Sequence, residues 1–260
     1  MIVSNIQPAT LWSGWLLSCG AGSAMVWTPD QYWRLDLGKS LNLQTLDLGA
    51  SASSSDVIHD ALRTAITRGE IGEGQTLRQD SIAKMFNVSR IPVREALKRL
   101  EAQGLVTSVR YKGVVVTPLS QSEIEEIFQF RALIEPELLK FSVPNMTEQS
   151  LDHAQSLCDA FANEEDASRW GDLNRLFHSS LYVDAGKHYF SSVVAGANDR
   201  IERYIRAQLI MTYGRQRAIA EHQMIVDACR RGDAQAAADI TRDHILQASR
   251  SLIEVLSRRE

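Results

Sequence analysis

The stretch VSRIPVREALKRLEAQGLV, residues 88–106, limits the fold more than any other part of the chain. Val93, Leu97 and Leu100 recur at helical spacing, and Arg90, Arg94 and Lys98 recur four apart on another side. Such a pattern predicts a helix that buries one stripe and presents the other. Ser89 is the expected N-cap, Pro92 is tolerated in the first turn, and Gly104 is the expected stop just past the end. Arg90 and Arg94 fall near the positive end of the helix dipole, which disfavours each exposed charge by about 0.3–1 kcal/mol. An arriving polyanion reverses that penalty. The phosphates and guanine edges of a DNA major groove fit the requirement.

The flanking residues predict a small unit around this helix. Residues 56–68 read as a helix with Val57, Ala61, Leu62 and Ile66 facing inward. Gly69, Gly72 and Gly74 mark a loop, and residues 79–86 read as a short helix before the turn Asn87-Val88-Ser89. Residues 105–109 and 114–117 read as strands around Arg110-Tyr111-Lys112-Gly113. Three helices and a hairpin make a winged helix-turn-helix. After Pro118 the pattern is helical only. Ser120 and Glu123 form a capping box, and Ile124, Ile127, Phe128, Phe130, Leu133 and Ile134 carry an apolar helix to about Phe141. Helices then follow at 148–162, 170–185, 189–213, 217–231 and 233–257. The expected fold class is mainly α: an N-terminal winged helix-turn-helix at 54–118, then an all-α six-helix bundle at 119–260.

Residues 1–53 differ in kind. They hold four of the five tryptophans and no Lys or Arg before Arg34, so the basic start of a secretory signal is missing. They read as a disordered extension or a misassigned start, with Met25 an internal candidate. Leu16-Leu17-Ser18-Cys19 only loosely matches a lipoprotein cleavage site. The net charge of −4 hides an asymmetry: residues 56–118 carry +3 and residues 119–260 carry −6. A mildly basic unit beside an acidic one suits a DNA reader joined to a sensor. Cys19, Cys158 and Cys229 have neither disulfide nor metal spacing and read as reduced thiols, hence a cytoplasmic protein. No stretch is long and apolar enough for a membrane span.

The segment GEIGEGQTLRQDSIAKMFNVSRIPVREALKRLEAQGLVTSVRYKGVVV, residues 69–116, resembles the winged helix-turn-helix of GntR-family bacterial transcription regulators. The likeness rests on the glycine loop before Leu77, the turn at Ser89-Arg90, the run Pro92-Val93-Arg94-Glu95-Ala96-Leu97 and the wing glycine Gly113. The later helices resemble FCD, the ligand-sensing all-α domain of the FadR-like subgroup. That likeness rests on Arg131 and Glu135, Asn174-Arg175-Leu176-Phe177-His178, Glu221-His222, and His244. Six helices rather than seven favour the VanR-type branch.

The resemblance implies a recognition helix in the major groove and a wing on the backbone. Arg90 and Arg94 become the candidates for base or phosphate contacts. Ser89 and Arg78 are candidates for phosphate, Ile91 for a thymine methyl, and Lys112 and Gly113 for close approach at the wing tip. One such head buries little DNA surface, so a homodimer on a pseudo-palindromic operator is expected. For Lys98 and Arg99 a solvated or ion-paired role is expected at least as much as a DNA contact.

Asn174 and His178 share a helix face, and His222 and His244 come from the last two helices. Imidazoles converging inside a bundle can hold a divalent cation such as Zn²⁺ or Ni²⁺. The resemblance implies that set as metal ligands, with Asn174 where related domains carry an acid. An all-neutral set leaves charge for a small organic acid effector. Arg131 either pairs with Glu135 one turn on or clamps the effector carboxylate. Arg203 and Arg206 are weaker candidates for the same pocket. His59, His153 and His188 show no grouping. Two other classes are a metalloenzyme, with Glu221 beside His222, and an architectural DNA-binding protein without ligand. The expected protein is not an enzyme but a ligand-responsive repressor of double-stranded operator DNA.

Overall fold

The computed structural model describes residues 53–212 and 214–257. The extension before Ser53, with its tryptophans, Cys19 and Met25, lies outside the described residues. The described residues form one compact unit.

Helix α1, Ser54–Thr67, starts from a capping box between Ser53 and Asp56. Its inward face is Ile58, Leu62 and Ile66, with His59 buried beside them. The face is turned by one residue from the expected one: Val57 is 49% exposed and Ala61 is exposed. The uninterrupted i, i+4 run 58–62–66 decides the rotation. Helices α2, Gln79–Phe86, and α3, Arg90–Ala102, follow. Helix α3 buries Val93, Ala96, Leu97 and Leu100 against α1 and α2. Gly104 takes φ +72, the left-handed conformation that ends such a helix without strain.

The wing holds one strand more than the sequence predicts. Strands β2, Val106–Val109, and β3, Gly113–Val116, form the expected hairpin, and β1, Thr76–Leu77, adds to β3 on its other side. The sheet order is β1-β3-β2. Two residues are too few to carry an alternating signal. With the helices, this sheet closes the head's own apolar core.

Six helices follow: α4, Gln121–Ser142; α5, Glu148–Asn163; α6, Trp170–Ser180; α7, His188–Met211; α8, Gly214–Arg230; and α9, Ala234–Ser257. Helix α4 packs along α9 and against α7, while α8 packs on α9 and α5 on α6 and α8. Helix α6 stops at Ser180, short of the expected 185, and a 3₁₀ turn covers Val183–Ala185. Helix α8 starts three residues before the expected Arg217. Among the described residues, no helix is long and apolar enough to cross a membrane.

Polar contacts tie the head to α7. The Arg63 guanidinium donates twice to Asp199, from Nε at 2.7 Å and Nη2 at 2.6 Å. Arg203 donates to the Thr117 carbonyl at 2.7 Å and pairs with Glu73 at 3.1 Å. The Tyr204 hydroxyl donates to Glu73 and accepts from the Leu119 N–H.

Candidate nucleic-acid interface and histidine centre

The basic stripe of α3 faces outward. Arg94, Ser89, Ile91, Arg78, Lys112 and Gly113 are all exposed. Arg90 is exposed too, and its guanidinium pairs with Asp80 of α2. A surface pair of that kind contributes little to stability and is readily exchanged for another anion. Ser89 occupies the N-cap position with extended backbone, yet its side chain makes no capping hydrogen bond. Pro92 at N3 explains this, because it lacks one of the N–H groups a cap would serve. Arg99 is ion-paired with Asp56 across to α1. Tyr111 and Gly113 take φ +67 and +79 at the wing tip.

The second constellation lies inside the bundle. His178 of α6, His222 of α8 and His244 of α9 place ligand nitrogens within 4.8 Å of one another. Their ring centroids are 5.0–5.1 Å apart. All three are buried. Neither nitrogen of His178, and neither of His222, has a hydrogen-bond partner. Buried polar atoms left this way are rare in folded proteins, and four on two adjacent rings suit a ligand-binding role. Burial, with the other histidines and Arg131 adding to it, holds His178 well below the usual imidazole range. Burial, then His244, does the same to His222. Both rings therefore stay neutral and keep a free lone pair.

Packing fixes the ring planes. Phe177 stacks on His222 at 4.2 Å and Phe161 lies tilted at 5.0 Å. His244 Nδ1 bonds Glu221 Oε2 at 2.6 Å, which fixes the orientation of its ring. His178, His244, Asn174 and Arg131 line a cavity of about 20 Å³, enough for one small guest. Arg131 donates from Nε to Glu135 Oε1 at 2.6 Å, and the Tyr182 hydroxyl donates to Glu135 Oε2 at 2.6 Å. Arg131 thus makes the pair with Glu135, one of the two roles the sequence left open, and it lines the cavity.

Arg203 and Arg206 do not reach this pocket. Arg203 projects from α7 to the head, where it holds Thr117 and Glu73, and Arg206 turns to the start of α6, where it pairs with Asp172 at 3.1 Å. Three other α7 residues, Ile205, Gln208 and Leu209, face the histidines instead. The reason is rotational: residues 203 and 206 lie on one side of a 3.6-residue turn, and 205, 208 and 209 on another. His153 and His188 are exposed, and His59 is buried in a hydrogen bond of 3.0 Å to Gln103.

Both parts of the chain match known families. Residues 54–116 match the model of bacterial regulatory proteins, gntR family, and residues 126–247 match the FCD domain. The chain belongs to the GntR family. This GntR chain is 26% identical over 198 residues to the HTH-type transcriptional repressor GlaR of Escherichia coli K12, covering 71% of the chain and 89% of GlaR. It is 28% identical over 193 residues to the gluconate operon transcriptional repressor of Bacillus subtilis 168, covering 71% and 79%. In fold it is similar to a GntR transcriptional regulator of Rhodococcus sp. RHA1, with TM-score 0.69, 22% identity, and 78% and 99% of the two chains covered. Its family and relatives are transcriptional regulators, not enzymes.

Sequence reasoning named Glu221 only for its place beside His222, and the structure has it bond His244. Two further residues of this GntR regulator were missed. Gln208 of α7 lines the cavity, but nothing in the sequence separates it from a surface glutamine. Tyr111 at the wing tip is 91% exposed, with Arg110 over its ring at 4.9 Å. Its position between Arg110 and Lys112 was the available signal.

Proposed function

We propose that this protein is a ligand-responsive repressor that binds a pseudo-palindromic operator as a homodimer in the cytoplasm and releases it when a small carboxylate effector enters the FCD domain. Its domains are the head at 54–118 and the sensor at 119–260, and the six bundle helices favour the VanR-type branch. The observation that carries the reading is the set of four unpartnered nitrogens on His178 and His222 beside Arg131, in one body with an outward-facing basic helix.

On the DNA side, Arg90 exchanges Asp80 for a phosphate or a base edge, and Arg94 reads the groove next to it. The free hydroxyl of Ser89 and the side chains of Arg78 and Lys112 take phosphates, which fix register. Ile91 meets a thymine methyl, and Gly113 lets the wing backbone approach. Exposed apolar side chains on α4 (Leu133, Phe141) and on the first turns of α7 (Tyr189, Phe190) support pairing through that side.

On the sensor side, His178, His222 and His244 would hold a divalent cation such as Zn²⁺ or Ni²⁺, with the Asn174 amide oxygen beside them. The cation would supply a Lewis-acidic contact for an effector oxygen. Arg131 offers the second, charge-assisted contact while Glu135 holds it in place. Helix α7 couples the two ends: Gln208 and Leu209 face the cavity, and Asp199, Arg203 and Tyr204 of the same rod hold the head. A shift of α7 on effector entry moves the heads and so their fit to half-site spacing.

The test is the double variant His178→Ala/His222→Ala. Elemental analysis of native protein purified without chelator should find bound metal that the variant lacks. The variant should keep basal operator affinity and lose its response to organic acids. Native protein free of metal would overturn the cation, and an unaltered effector response would overturn the site.

A further inference from the structure

Helix α7 carries a second group of buried polar atoms without partners, turned away from the histidines. Arg203 Nε, Arg206 Nε and Glu202 Oε1 are all buried with no hydrogen bond. Arg206 is 7% exposed. Its Nη1 donates to the Ser168 carbonyl. Its Nη2 lies 3.1 Å from Asp172 Oδ1 but is misaligned for a hydrogen bond. Gly171 leaves the space this guanidinium fills, since a Cβ there would collide with Arg206 Cγ. A buried guanidinium so thinly bonded is costly unless an anion completes its donors.

The surroundings suit such an anion. Arg206 lines a cleft of about 490 Å³ between head and bundle, together with Arg68, Arg169 and Arg203. Asp172 in the same cleft is shared, 2.9 Å from Arg68 and 3.1 Å from Arg206, so two guanidinia lean on one carboxylate. Arg169 and Arg203 also pair with Glu164 and Glu73 outside it, and Glu70 adds a carboxylate at the rim. Beneath Gly171, burial lifts the Glu202 carboxyl to about 7. It therefore offers Arg206 only part of a negative charge at neutral pH.

We infer that this cleft binds a phosphate-bearing small molecule, its dianionic group taken by Arg206 and Arg169 from the bundle and Arg68 from the head. Guanidinia converge here from three elements: the end of α1, the start of α6, and α7. A tetrahedral group with three terminal oxygens can meet several forks at once, whereas a planar carboxylate fills one. The volume leaves room for an organic body beyond the phosphate. Arg68 moves with the DNA-reading head and Arg206 with the sensor. An occupant therefore bridges the two and reports a second metabolite to the same head. This site needs neither the histidines nor a metal.

Isothermal titration of the full-length protein tests it, with inorganic phosphate in one arm and glycerol 3-phosphate in the other, at constant ionic strength set with chloride. The wild type should bind at least one of them. Arg169→Ala, a change at a side chain 63% exposed, should weaken binding about tenfold without disturbing the fold. Arg206→Gln should weaken it further. His178→Ala should leave it unchanged, which separates this site from the histidine centre. Tighter binding of the ester assigns a phosphorylated metabolite, and equal binding assigns the phosphate group alone. No binding of either up to about 20 mM, or equal affinity in the wild type and Arg169→Ala, overturns the inference.

Discussion

The pair Arg63–Asp199 tests whether the head is held to the sensor by the contacts described. Two charge-assisted hydrogen bonds, 2.7 and 2.6 Å long, join α1 to α7 across this junction. Bonds to charged groups contribute about 1.5–3 kcal/mol each when shielded from water. Here the side chains are 31% and 12% exposed, so solvent screens part of the attraction, and fully exposed pairs retain only about 0.2–1 kcal/mol. The bidentate geometry and the burial of Asp199 place the coupling between these limits, at about 1–2 kcal/mol. The assay is a double-mutant cycle in urea with Arg63→Ala, Asp199→Ala and both together. The coupling should shrink in 0.5 M salt relative to 50 mM, because part of it is solvent-facing. The same variants should keep operator affinity and lose most of its dependence on effector. A coupling energy below about 0.3 kcal/mol, or an undiminished effector response in the double variant, would refute the role given to α7.

Arg94→Ala should reduce specific operator affinity about tenfold or more, the loss expected for one base or phosphate contact, with unchanged helicity; a gel shift matching wild type contradicts it. Phe177→Ala removes a fully buried ring stacked on His222 and should cost about 3–5 kcal/mol, with metal content falling alongside Tm. For Glu202 the sign follows from a folded-state value of about 7 against 4.5 unperturbed. Its stabilising contribution is complete below pH 4.5 and lost as pH rises through 7, at most about 3 kcal/mol. Glu202→Gln should therefore flatten the fall in Tm between pH 5 and 8. A variant curve parallel to wild type would count against the buried carboxyl.

Much of the molecule is legible in the order of its amino acids, and unevenly so. The stripe Val93–Leu97–Leu100 and the caps at Ser120 and Gly104 fix long helices locally, since propensity, pattern and capping agree there. Strand β1 is invisible because two residues have no period. The inward face of α1 is misread by one residue because Val57 and Ala61 imitate an apolar stripe that Ile58, Leu62 and Ile66 in fact supply. Ser89 has the right residue type for a cap, but a proline two positions beyond its first helical neighbour removes part of what it would serve.

The sites divide the same way. Which side chains can carry charge or ligate a metal is written in the residue types, so the outward arginines of α3 stand out in the chain itself, while the family resemblance picks three of the six histidines. Convergence is another matter. His178, His222 and His244 are far apart along the chain and meet only because α6, α8 and α9 pack together around Phe177 and Phe161. Arg203 and Arg206 are eligible by residue type, if weaker candidates than Arg131, and only the rotation of α7 turns them away from the cavity. Local order is set by short-range sterics and hydrogen bonding, which neighbours in sequence determine. The direction a helix face takes is set by burial against partners far away in sequence, and that choice exists only once the whole chain has packed.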